Sequence, residues 1–211
     1  MAKGDRVVGA ARRTEALSGL APSHPGQLEA LPLDITDPGA VHAAVRGVLD
    51  RYGRIDVLVN NAGKTHVGAA EETEEPELRS LFELHFFAPV ALVRAVLPSM
   101  RARRQGAIVQ MSSMGGQMSF AGFSAYSATK FALEGYSEAL ADEVAPYGIW
   151  VLIVEPGAFR TELFDAYSAS AESETYADTV GATRAMIRAN AGKQPGDPAK
   201  AGRRCHVGTG G

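Results

Sequence analysis

Tyr126 and Lys130 stand four residues apart in "YSATK". On a helix that spacing puts both side chains on one face. A phenol titrates near pH ~10 in water. A cation ~4–6 Å away stabilises its phenolate and lowers that value by roughly 1–3 units. Such a pair can work as a general acid/base near neutral pH. Any long helix also produces Tyr and Lys at this spacing, so the pair needs company. Ser113 lies thirteen residues before Tyr126, at the end of the apolar run "AIVQMSS". A hydroxyl at the carboxyl end of a parallel strand faces the crevice where such sheets bind ligands. There it could hydrogen-bond a carbonyl or alcohol oxygen. "NNAG", Asn60 to Gly63, ends another apolar run, and "EPGAFRT", Glu155 to Thr161, follows a third. Two amides followed by small residues let a ligand approach the backbone closely. Ordinary turns would have to account for all three strand ends together.

The elements that position these residues alternate in type. Strand-like runs occur in "RVVGAA", "LEALPLDIT", "IDVLVNNAG", "GAIVQMSS" and "IWVLIVEPG". Between them lie helical patterns. One is capped by Asp37, has Pro38 in its first turn and stops at Gly53. A long one has Thr73 as its expected N-cap, and another starts near Ser124. Strands separated by helices predict an α/β fold, a parallel sheet with helices on both faces. Residues 1–190 read as one domain, with 165–190, helical but polar, as a flap over the site. Residues 191–211 are glycine-rich and lack an apolar period. They read either as a flexible tail or as an altered, out-of-frame continuation.

Composition bounds the partners. The chain has 211 residues, 45% hydrophobic and 21% charged, with a formal net charge of −3. No basic field favours nucleic acid or an anionic membrane. The single cysteine excludes an intramolecular disulfide framework, and the chain reads as cytoplasmic. No continuous apolar run is expected to span a bilayer. The five histidines show no ligand spacing, so no metal is assigned. The acidic run Glu71 to Glu77 reads as the start of a helix.

N-N-A-G, then Ser113, then Y-x-x-x-K, then P-G-x-x-x-T resembles the short-chain dehydrogenase/reductase family over roughly residues 4–164. In detail it is similar to bacterial members akin to retinol and hydroxysteroid dehydrogenases. The resemblance implies a Rossmann-like, doubly wound sheet and hydride transfer between a nicotinamide dinucleotide and an alcohol or ketone. It implies that Tyr126 is the acid/base, that Lys130 lowers its pKa and bonds the nicotinamide ribose, and that Ser113 orients the substrate oxygen. Asn60, Ala62 and Gly63 would line the cofactor. Asp34 and Ile35 would lie beside the adenine, and Pro156, Gly157 and Thr161 at the nicotinamide end. Where NAD-preferring members place an acid, this chain has Ala11 followed by Arg12 and Arg13. Arginine suits a 2′-phosphate, so NADP is expected over NAD; the alternative is a solvated charge pair at a strand end. Met114, Met118, Phe120, Phe123, Phe159 and Phe164 either line a pocket for a lipophilic substrate or are packing. The two long helices match the family's usual interface, implying a homodimer or tetramer.

The sequence also departs from the family. "RVVGAARR" resembles the second strand, and no T-G-x-x-x-G-x-G precedes it. That turn would offer backbone N–H groups to a pyrophosphate. The sheet is therefore expected to be incomplete, lacking the first strand and also the last. Strands two and three must close against the fourth or expose apolar edges, giving marginal stability or self-association. The chain then reads as a late start or a piece of a longer enzyme, and the rival to an active enzyme is a remnant that binds no cofactor. His85 stands where the family usually has Asn supporting a relay water. A proton relay and a structural histidine are both open.

Overall fold

The computed structural model describes residues 4–20, 22–161 and 167–200. In chain order the elements are β1 (Val7–Ala11), α1 (Glu15–Ser18), β2 (Leu28–Pro32), α2 (Pro38–Tyr52), β3 (Val57–Asn60), β4 (His66–Val67), α3 (Glu75–Phe82), α4 (Ala88–Arg103), β5 (Gly106–Met111), α5 (Ser124–Val144), β6 (Ile149–Val154), β7 (Ser168–Ala169) and α6 (Ala182–Asn190). The strands pair in parallel, β1 with β2 and β3 with β5 with β6. The fold is Rossmann-like α/β with an interrupted sheet. β1 does not close against β3, and Val7 and Val59 are left 37% and 53% exposed. Of the two outcomes expected for these strands, the structure takes the open edges. Trp150 and Leu152 of β6 are exposed as well.

The helices form where the sequence supplies caps and an apolar stripe. Asp37 Oδ1 accepts from the N–H groups of Gly39 and Ala40 at 2.8 and 3.1 Å, satisfying donors the helix leaves orphaned. Gly53, at φ 75°, ends α2 with its N–H on the Leu49 carbonyl. The next helix departs from expectation. α3 starts at Glu75 after Glu74, and the Thr73 hydroxyl instead donates back to the Ala69 carbonyl at 3.0 Å. Between α3 and α4 the helix widens into a π turn, Glu83–Phe87. Glu75 and Glu77 lie in the first turn of α3, where acidic side chains complement the helix dipole.

By length and mean hydropathy, 1.6, the run Glu75–Arg103 passes as a bilayer-crossing helix, which the sequence reading did not anticipate. Its inner stripe is spent on the core. Val93, Val96 and Met100 pack with Val45, Ile108, Leu140, Val144 and Ile149. Each fully buried aliphatic side chain of this kind contributes about 1.5–3 kcal/mol.

In the segment expected to act as a flap, the described residues from 167 on pack against the domain. β7 pairs with β4, and Val180 and Ile187 pack on Val67 and Ala69. The stretch from 191, expected to be loose, is described as far as 200. Gln194 is buried, and Gly196 pairs with Phe159 beyond the end of β6. Residues 201–211 lie outside the described residues.

Candidate functional site

α5 enters beneath the carboxyl ends of β5 and β6, and its buried face carries both Tyr126 and Lys130, 8% and 5% exposed. Lys130 Nζ lies 5.9 Å from the centroid of the Tyr126 ring. It donates to the Met111 carbonyl at 2.8 Å, at the end of β5. Two residues on, Ser113 caps the short 3₁₀ turn Met114–Gly116, its Oγ accepting from the Gly115 N–H at 3.0 Å. A Cβ on Gly115 would stand 3.1 Å from Tyr126 Cε1, so the turn lies on the phenol ring. The Ser113 side chain is near enough to the phenol to pull its pKa down. Serine, tyrosine and lysine thus converge at the strand end.

The electrostatics correct one expectation. Lys130 does not leave the phenol below its ordinary pKa. Burial pushes Tyr126 up, and the Ser113 hydrogen bond offsets this only in part. Burial also brings Lys130 down to about 8, against the pull of Glu134 one turn on. In a dry site desolvation outweighs a cation whose proton is already given to a carbonyl. At neutral pH Tyr126 is a protonated phenol, ready to act as an acid.

The other predicted residues fall into two groups. Asn60 is buried, its Nδ2 donating to Gln110 Oε1 at 2.9 Å. Its side chain braces β3 against β5, and its Oδ1 has no partner. Ala62 and Gly63 are exposed just beyond. The Pro156 carbonyl accepts from Met114 N–H at 3.3 Å, so the turn after β6 touches the turn that follows Ser113. Gly157 and Thr161 are exposed in that loop. Met114, Met118 and Phe120 are each about half exposed between Ser113 and α5. Phe123 packs under Tyr126, ring centroids 6.2 Å apart. Phe159 meets Gly196, and Phe164 lies outside the described residues.

The second group sits at the ends of β1 and β2. Arg12 and Arg13 are exposed and, with Ala11 and Glu15, line an open depression of ≈ 610 Å³. Asp34 is committed locally, its Oδ1 accepting from Thr36 N and Oγ1 at 3.0 and 2.7 Å. Those bonds, and to a lesser extent Arg12, hold its carboxyl below the usual range. Ile35 is half-buried beside it.

His85, Thr129 and Glu134 complete the surroundings. His85 is 1% exposed, edge-on to Tyr126 with centroids 5.6 Å apart. Of the three, His85 alone carries a signal in the sequence, standing where the family usually has Asn. Thr129 and Glu134 carry no local signal beyond their place on the Tyr126 face of α5.

A second polar knot holds β7. His66 Nδ1 and Nε2 lie 3.0 and 3.1 Å from the hydroxyls of Ser168 and Ser170. Glu77 accepts from Lys64 and Ser168, each at 2.9 Å. Burial opposes ionisation of Glu77, but these donors win and keep it below its ordinary pKa. Burial likewise lowers His66, and lowers His85 to about 3.

A histidine whose folded pKa lies below its unfolded value of about 6.5 binds more protons when unfolded. Its stabilising share is complete above that pH and is lost as pH falls toward the folded value. The expected result is a urea midpoint that declines steadily as pH falls below 6.5. Each buried histidine contributes up to about 1.4 kcal/mol per pH unit. Urea titrations at pH 7.5, 6 and 5 check this; equal midpoints at 7.5 and 5 would contradict it.

The family model for short chain dehydrogenases matches residues 1–172. The chain belongs to the short-chain dehydrogenase family. It is 60% identical to a short-chain dehydrogenase from Streptomyces avermitilis of known crystal structure. That match covers 96% of this chain and 74% of the other, with a TM-score of 0.89. A metagenomic short-chain oxidoreductase crystallised with NADP is 34% identical, TM-score 0.71, over 75% of this chain and 73% of its own. Among relatives known by sequence, 3-ketodihydrosphingosine reductase of Bacteroides thetaiotaomicron is 43% identical over 157 residues. That stretch is 73% of this chain and 58% of the reductase. Such short-chain dehydrogenases are oxidoreductases, and this chain shares their α/β frame.

Proposed function

We propose that this short-chain dehydrogenase reduces a lipophilic ketone, or oxidises the matching alcohol, with NADP(H). The observation that carries the reading is the convergence of a buried Tyr126, Lys130 and Ser113 at the end of β5. The residues present fit a nicotinamide dinucleotide at its two ends. Arg12 and Arg13 offer guanidinium forks to a 2′-phosphate. Lys130 offers an ammonium to a ribose, and Asn60, at the end of β3, keeps an unpartnered Oδ1. When bound, the dinucleotide supplies or accepts the hydride.

The rest is the work of this chain's own side chains. Ser113 Oγ and Tyr126 Oη donate to the substrate carbonyl oxygen and fix its position. As negative charge grows on that oxygen, Tyr126 gives up its proton. The Lys130 ammonium stabilises the phenolate left behind. Oxidation runs the same groups in reverse, with Tyr126 as base. Exposed Met114, Met118 and Phe120 give the apolar side of the substrate a surface. The reductase from Bacteroides, named for a long-chain ketone, supports a lipophilic substrate.

We further read the protein as a cytoplasmic homo-oligomer. Exposed Phe87, in the π turn that leads into α4, and Phe131 on α5, at 52% and 48%, support self-association there. A second reading, a remnant that binds no dinucleotide, is favoured by the open edges of β1 and β3. Among the described residues no glycine-rich turn joins a strand to a helix to grip a pyrophosphate.

Fluorescence titration with NADPH and NADH separates the two. The expected result is micromolar NADPH binding with NADH weaker. Arg12→Ser with Arg13→Ser should cost NADPH about tenfold or more, the worth of one or two charge-assisted hydrogen bonds, and leave NADH unchanged. Equal losses for both would overturn the NADP assignment; no binding by the folded chain would favour the remnant.

A further inference from the structure

We infer that His85 is a positioning residue: its ring, with Nε2 bare and the proton on Nδ1, ties the loop after β3 to the turn of α5 that carries Tyr126. The inference rests on the reading of Tyr126 as the acid/base. Three hydrogen bonds fix its direction. The backbone N–H of Lys64 points at His85 Nε2, 3.1 Å away. An amide N–H can only donate, so Nε2 accepts and bears no proton. The ring's proton is then on Nδ1, which lies 2.9 Å from Thr129 Oγ1. Thr129 spends its own proton on the Tyr126 carbonyl at 2.7 Å, so its oxygen is free to accept. The chain runs in one sense, from Lys64 N–H through imidazole and hydroxyl to the backbone of Tyr126.

The local backbone explains how a histidine reaches this place. His85 is the middle residue of the π turn Glu83–Phe87. The extra residue in that turn, a feature frequent at functional sites, lets the ring enter the gap between α5 and the loop Asn60–Lys64. On one side a Cβ on Gly63 would sit 3.5 Å from Nε2. On the other the ring stands edge-on to Tyr126.

Protonating the ring would set a second N–H against the Lys64 amide. Burial is the main force against a charged ring, and the charged groups facing it, Lys130 from α5 and Lys64 from the loop, are both cationic and add to it. With both nitrogens committed, the imidazole cannot pass protons to or from Tyr126. Of the two roles open to a histidine at this position, positioning is the one this geometry permits. His85 thereby couples the loop proposed to lie along the dinucleotide to the orientation of the proposed acid/base.

The test uses the full chain labelled with ¹⁵N-histidine. Two-dimensional NMR of the ring nitrogens should show His85 as the Nδ1–H tautomer, with no titration from pH 8 to 5. An Nε2–H tautomer, or a midpoint between those limits, overturns the inference. Thr129→Val keeps the shape of the side chain and removes the link. It should lower kcat about tenfold, leaving KM and NADPH affinity within twofold and the tautomer intact. A kcat within twofold of wild type, or a parallel loss of melting temperature and NADPH affinity, also overturns it. Failure of the Tyr126 reading shows separately, as undiminished turnover in Tyr126→Phe, and leaves the tautomer result standing.

Discussion

Tyr126→Phe is expected to cut turnover by about 10³-fold while the protein folds and binds NADPH as before. General acid/base catalysis by a placed side chain contributes roughly 10²–10⁴-fold, and no other described phenol or imidazole faces Ser113 with a proton to give. The ring, 8% exposed, packs edge-on to His85 and Phe123. Phenylalanine keeps those contacts and loses only the hydroxyl. The phenol is buried and raised in pKa, so its removal leaves no stranded charge. Steady-state kinetics with a melting scan on the same sample check the result. Activity within tenfold of wild type would remove Tyr126 from the chemistry.

The second large effect belongs to Lys130→Met. Methionine preserves most of the buried stem and deletes the charge. The phenolate formed in the reaction then has no cation beside it, and kcat should fall about 10²-fold or more. Some stability is lost as well, because the buried Glu134 carboxylate and the Met111 carbonyl lose the cation, so turnover is compared well below the variant's melting temperature. The pH profile gives a sharper sign. Lys130 carries its charge below about 8, so ketone reduction by the wild type should decline as pH rises through that value. The variant should lack that limb. A limb near pH 8 that survives in Lys130→Met would assign it to another group.

Much of the architecture is legible in the sequence because it is written locally. Asp37, Pro38 and Gly53 mark both ends of α2, and the spacing of Tyr126 and Lys130 places them on one helical face wherever α5 lies. The site around them depends on contacts that no local pattern encodes. Thr129 is an ordinary helical threonine until His85 arrives from another helix, 44 positions away. The π turn that delivers His85 looks in sequence like uninterrupted apolar helix. Thr73 looks like a cap, yet its hydroxyl closes a turn onto Ala69. The Tyr126 pKa departs from what the spacing predicts for a similar reason. Spacing predicts the neighbouring cation, but the depth of burial, which decides the sign, is a property of the whole packed layer. The basic end of β1 was legible in its charges. Asp34 was not, because its bond to Thr36 competes with any ligand.

The central claim is that this chain moves a hydride to a ketone through Tyr126. The most direct measurement supplies the purified 211-residue protein with NADPH deuterated at C4 and a panel of long-chain and fused-ring ketones. Mass spectrometry then follows the alcohols formed. The account predicts one deuterium on the carbinol carbon with the wild type and almost none with Tyr126→Phe. A folded chain that binds NADPH yet yields no deuterated alcohol from any ketone would contradict it, as would equal labelling by the two proteins.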